Sequence, residues 1–189
     1  MAKMFILDCE TLSTRDNAVV LSIGMTFITD MDNANTSYNE LLTRGIHFKL
    51  NREEQIKKNR HISQSTVDWW KSQGDAAKTV LSSDGALPFY TYFTTLKTYI
   101  EQNGFNNKTD YVFSRGLIDQ RWLDTLCEDF GVSEPLIPYW NFRETRTALE
   151  LLTGNPNGRV FIDEKTFIKH NALHDCAMDA LRLIDAFSK

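Results

Sequence analysis

The sequence predicts an α/β fold, a mixed β-sheet flanked by α-helices, and three observations carry that reading. Met4 to Leu7 is an unbroken apolar run ending on Asp8, which suits a strand buried on both faces. Two further strand-like segments, 19–29 and 46–50, follow across polar links, as in an antiparallel meander with no helix between its strands. Beyond residue 50, helical patterns alternate with short strands, so helices pack on the sheet. The first strand is expected at the sheet's centre, with the last helix across it.

In the first segment, MFILDCET, Asp8 and Glu10 stand two apart, so both carboxylates point to one side of the sheet. Crowded carboxylates at the end of a buried strand repel each other and are hard to desolvate, and a divalent cation removes both penalties. A strand that simply turns polar at its end has the same residues, and D-x-E-T alone does not separate the two.

Val19 to Thr29 is rich in β-branched and aromatic residues and reads as a strand. Residues 30–39, DMDNANTSYN, read as a loop, and 51–59 as a charged helix. Ser65 is the expected N-cap of TVDWWKSQ, with Asp68 at the capping-box position. Trp69 and Trp70 point to different sides of that helix, one to the core and one to a surface. Phe89, Phe93, Leu96 and Ile100 form the stripe of a helix over 87–102, stopped by Gly104. A strand over 111–114 leads to a helix over 117–130, closed by Gly131. Pro135 and Pro138 limit the segment up to Phe142 to a short or edge strand. A helix over 144–152 stops before Gly154, and 155–169 reads as an irregular loop. The last helix spans 171–187, with Leu173, Ala177, Ala180, Ile184 and Phe187 as its apolar stripe and Asp175 and Asp179 off it.

A chain of 189 residues without repeats or a low-complexity linker predicts one domain over 1–189. No apolar run is long enough to span a bilayer, and the N-terminus lacks a signal-peptide cleavage pattern. Three cysteines, Cys9, Cys127 and Cys176, with no C-x-x-C spacing, argue for a reducing, cytoplasmic compartment rather than a disulfide framework. The net charge is −4, whereas proteins that grip nucleic acid by phosphate neutralisation alone are basic. Any nucleic-acid activity therefore needs a local basic surface, bound metal or a short single strand. Residues 43–60 carry six basic side chains against Glu53 and Glu54, either such a surface or a solvated helix face.

Three stretches place acids where an element ends or turns: Asp8 to Thr11, SRGLID ending on Asp119, and HNALHD from His170 to Asp175. D-x-E-T, then G-x-x-D after a strand, then H-x-x-x-x-D on the last helix resembles the motif set of the DEDDh 3′–5′ exonucleases. That superfamily includes RNase T and DnaQ-like proofreading subunits and has an RNase H-like fold. STVDWWKSQ, YWNFRETRT and HNALHDCAMD carry a nearer likeness to the exonuclease A group of T-even bacteriophages. The resemblance implies that Asp8, Glu10, Asp119 and Asp175 hold two Mg²⁺ or Mn²⁺ ions and that His170 is the general base. Thr11, Leu12, Arg115 and Trp70 are the expected substrate contacts. The substrate is expected to be single-stranded nucleic acid, DNA rather than RNA, with release of nucleoside 5′-monophosphates. Arg143-Glu144-Thr145 departs from the R-D-x-R-T of relatives, which leaves the role of Glu144 open. Two other readings stand beside this one. The first is an RNase T-type exoribonuclease. The second is a zinc-stabilised binding module, since His170 and His174 are four apart with Cys176 nearby, although no fourth ligand is evident.

Overall fold

The computed structural model describes residues 2–188. A five-stranded sheet in the order β3-β2-β1-β4-β5 forms its centre. The strands are β1 (Met4–Thr11), β2 (Val20–Ile28), β3 (Ile46–Lys49), β4 (Tyr111–Ser114) and β5 (Phe142–Glu144). β1 is central, as its apolar run predicts. It pairs antiparallel with β2 and parallel with β4, so the sheet is mixed. β3 and the short, proline-preceded β5 are the edges.

The helices are α1 (Tyr38–Arg44), α2 (Arg52–Lys57), α3 (Gln64–Lys71), α4 (Asp75–Lys78), α5 (Phe89–Gln102), α6 (Ile118–Asp129), α7 (Thr145–Thr153) and α8 (Ala172–Phe187). β1 serves two cores by strict alternation. Phe5, Leu7 and Cys9 pack under α5 and α6. Ile6 lies in the opposite cluster, with α1, α7 and α8. A third cluster of Leu12, Val19, Leu21, Trp70, Ala77 and Val80 holds α3 and α4 against the end of β1.

α8 crosses β2 so closely that a Cβ on Gly24 would collide with the Ala172 and Leu173 backbone. Gly24 is the register partner of Asp8. The missing side chain therefore seats the start of α8 directly beside the acid.

Four expectations need correction. A helix, α1, does separate β2 from β3. Ser37 and Glu40 form its capping box, an S-x-x-E signal inside the stretch read as a loop. α3 starts at Gln64 with Ser63, not Ser65, as its N-cap. The Ser63 N–H donates to Leu12 O at 2.8 Å, which fixes the turn before Gln64. The basic stretch is not a continuous face. Arg44 pairs with Asp32 at 2.7 Å, and the buried Arg60 pairs with Asp129 at 2.6 Å. Finally, Phe187 is exposed rather than part of the core. Among the described residues no helix is long and apolar enough to cross a membrane.

Candidate active site

The acids converge because β1 outruns its parallel neighbour. β4 pairs with β1 only as far as Phe113 opposite Ile6. Further along, the Cys9 N–H has no strand partner on that side. Asp119, in the first turn of α6, accepts it through Oδ1 at 2.9 Å. A carboxylate thus takes the place of a ladder bond. The link before α6 turns through two left-handed residues, Gly116 (φ 78°) and Leu117 (φ 58°). The Gly116 N–H donates to Glu144 Oε1 at 3.0 Å. Glu144 also caps α7, accepting the Arg146 and Thr147 N–H groups. It therefore ties the Asp119-bearing link to a helix end.

Asp175 enters from the first turn of α8, which Asn171 caps. Its Oδ2 accepts the His170 N–H at 2.9 Å. His170 itself is left-handed, with φ 62°. That conformation costs about 1–2 kcal/mol for a residue with a side chain. Two contacts hold it there: the bond to Asp175, and the edge of Trp69, whose ring centroid lies 4.7 Å from that of the imidazole.

Burial pushes every acid of this group up. The Asp8 carboxyl rises well above the usual carboxylate range, through burial first and then Asp119, Glu10 and Asp175. Glu10 is pushed up to about 8 by burial, Asp175 and Asp119. Burial brings Asp119 and Asp175 to about 7, with Asp179 adding to both. The donor set suits a hard divalent cation, which would let all the carboxylates ionise together. One ligand atom each from Glu10, His170 and Asp175 lies within 4.8 Å of the other two. Burial and Lys169 lower the His170 imidazole, which keeps it neutral and able to accept a proton near pH 7.

Two of the three donors of the zinc reading, His174 and Cys176, are engaged elsewhere. His174 Nδ1 accepts the Ile168 N–H at 3.2 Å and lies 2.7 Å from the Tyr38 hydroxyl. Cys176 is fully buried, and its Sγ donates to Gly24 O at 3.2 Å.

The fold gathers Asp8, Glu10, Asp119, His170 and Asp175 at one end of β1, and it places the four expected substrate contacts differently. Trp70 is 1% exposed, and its indole N–H donates to Thr11 O at 2.9 Å, so it is a strut beneath the strand end. Trp69, 42% exposed and set against His170, is the tryptophan at the surface. Leu12 is buried in the third cluster. Thr11 is buried too, its hydroxyl donating to Ser13 O at 2.7 Å. Arg115 is held by Asp179 through two bonds of 2.7 and 2.6 Å. Asp179 also takes Arg182 at 2.7 Å, so this acid is buried between two arginines. Its spacing of four from Asp175, on one helix face, was the available sign.

This fold and this site define a DEDDh-type 3′–5′ exonuclease. The chain belongs to the family described as the 3′-5′ exoribonuclease Rv2179c-like domain, whose model matches residues 3–185. It is 29% identical over 199 residues to an exodeoxyribonuclease of enterobacteria phage T4, covering 95% of this chain and 86% of that one. The nuclease domain of 3′hExo, a DEDDh family member bound to rAMP, has a TM-score of 0.62 at 12% identity over 97% of this chain and 92% of that chain. Cell-death related nuclease 4 (CRN-4) has a TM-score of 0.56 at 14% identity, over 98% of this chain and 64% of that one. The two structural likenesses speak for the fold.

Proposed function

We propose that the protein removes nucleoside 5′-monophosphates from the 3′ end of single-stranded DNA, using two Mg²⁺ or Mn²⁺ ions. The observation that carries this reading is the convergence of Glu10, His170 and Asp175 at mutual ligand distance beside Asp8 and Asp119. Asp8, Glu10, Asp119 and Asp175 are the residues that would hold the ions. Bound there, the ions supply positive charge to a phosphorus centre whose negative charge grows in the transition state. His170 takes the proton from the attacking water and passes it to solvent through its partly exposed ring. Trp69 keeps the imidazole from rotating away.

DNA is favoured because the phage relative, similar along nearly the whole chain, is named an exodeoxyribonuclease. RNA is the second reading, favoured by the family's description. Single strands are favoured because two of the six basic side chains of residues 43–60, Arg44 and Arg60, are held in internal ion pairs, which weakens that stretch as a face for a duplex. The test uses 5′-labelled DNA and RNA strands of equal sequence with added Mg²⁺ or Mn²⁺. Stepwise shortening of the DNA, faster than of the RNA and of a duplex, is expected. Removal from the 5′ end, or cuts within a circular single strand, would overturn the proposal.

A further inference from the structure

Beside the acid cluster lies a cleft of about 480 Å³, walled by β2, β3 and the segment after α4, with His170 on its rim. Its volume is in the range of small-ligand sites. Strand register explains its floor. Glu10 pairs with Ser22 and Ser22 with Lys49, while Asp8 pairs with Gly24 and Gly24 with His47. Residues opposite each other share a face, so two rows run from the acids on β1 across β2 to a cation and an imidazole on β3.

Among the described residues, two polar atoms in this wall find no partner. Ser22 Oγ belongs to a residue with 0% exposure, and His47 Nε2 is buried as well. Buried polar groups are nearly always paired, so two orphans in one cleft point to a ligand that supplies the missing bonds. Among the described residues Lys49 makes no ion pair. Asp84, at the mouth, accepts Ser82 Oγ at 2.7 Å. A hydroxyl, an imidazole nitrogen that donates when it carries the ring proton, and an ammonium in no ion pair together form a donor set for phosphate oxygens.

We infer that Ser22, His47 and Lys49 form a second phosphate subsite, for the phosphate one nucleotide away from the one being cleaved. β3 lies two strand spacings from β1, about 10 Å, and the flexible lysine stem shortens the remaining span. Two positions on a strand carry such a phosphate: the next linkage upstream, and a phosphate ester on the terminal 3′ oxygen. The inference rests on the exonuclease reading for the position of the cleaved phosphate.

The test compares three dinucleotides: one with both ends free, one with a 5′-phosphate and one with a 3′-phosphate. Their affinities are measured by calorimetry with Mg²⁺, on versions whose internal linkage is a non-hydrolysable phosphonate. Turnover is measured on the natural versions. One added phosphate should tighten binding of the parent protein about tenfold, a strength typical of a charge-assisted hydrogen bond set. A gain from the 5′-phosphate identifies the upstream linkage, and a gain from the 3′-phosphate identifies the terminal ester. Lys49→Ala and Ser22→Ala should erase most of that gain while leaving the free-ended dinucleotide within about twofold. No gain from either phosphate, or an equal loss on all three ligands in the variants, overturns the subsite. The binding arm decides this even if no nucleotide is released, an outcome that would count against the exonuclease reading alone.

Discussion

One face of β1 is dry and the other is charged. Phe5, Leu7 and Cys9 are packed under α5 and α6, whereas on the other face Ile6 is followed by Asp8 and Glu10. The same eight residues thus anchor the fold and carry its least comfortable charges. Burying an aromatic or aliphatic side chain contributes roughly 1.5–3 kcal/mol. Each unit by which a buried carboxyl is raised corresponds to about 1.4 kcal/mol against its ionised form. The two are of the same order, so the apolar face can hold the acids together but cannot make their mutual repulsion negligible. Ions, rather than packing, should complete the site.

The sharpest way to break the comparison is to neutralise the charged face. Asp8→Asn is expected to abolish nucleotide release while raising the melting temperature of the metal-free protein, because it removes a buried charge from a repelling group. A variant that still degrades strands at saturating Mg²⁺ would contradict the assignment. His170→Ala should lower kcat by about 10²- to 10⁴-fold, the range for a lost general base, and leave metal affinity by calorimetry nearly unchanged. His174→Ala, which loses only contacts to Tyr38 and Ile168, should stay within a few-fold. Gly24→Ala attacks the seam between the two faces. Its methyl must displace the Ala172–Leu173 backbone, so a loss of about 1–3 kcal/mol in urea unfolding is expected, together with weaker metal binding as Asp175 shifts.

pH distinguishes the faces without mutation. The folded-state values of Glu10, Asp119 and Asp175 lie at about 8, 7 and 7, above the ordinary carboxylate range. The folded protein therefore binds more protons than the unfolded chain between about pH 4 and 8. Stability of the metal-free protein should be greatest below that window and fall as pH rises through it. Mn²⁺ should restore the melting temperature at pH 8 and change it little at pH 5. A metal-free protein that becomes more stable from pH 5 to 8 would show that the acids are not strained. The smallest effect is expected at the support of the Asp119-bearing link. Glu144→Ala removes the α7 cap, at about 1 kcal/mol by denaturant unfolding, with activity reduced only through the Gly116 link.

Most of the charged face was legible because its signals are local. The apolar run ending on Asp8 marked the strand, and a spacing of two marked Glu10 as its companion on one side. His170 and Asp175 were marked by the H-x-x-x-x-D motif of the family resemblance, set at the start of the last helix, and not by the helix pattern itself. What stayed hidden depends on contacts distant in sequence. Gly24 looks like an ordinary strand glycine until α8 lies on it. Trp69 and Trp70 are interchangeable in pattern, and only the docking of α3 under Thr11 turns Trp70 inward and leaves Trp69 beside His170. Asp179 reads as a solvent-facing acid because the arginine that buries it arrives from the β4–α6 link. α1 is a different kind of miss, since its capping box stood in the sequence ahead of a helix of only seven residues.

The alternation along β1 also bears on how the chain finds its register while folding. A slip of one residue against β2 would turn Phe5, Leu7 and Cys9 toward α8 and drive Asp8 and Glu10 into the layer beneath α5 and α6. There no cation could reach them, and several kcal/mol of desolvation per charge would count against the misaligned sheet. The two carboxylates thus act as a proofreading device for the protein's own assembly, one that counts against every odd-numbered slip from the pairing in which Asp8 faces Gly24.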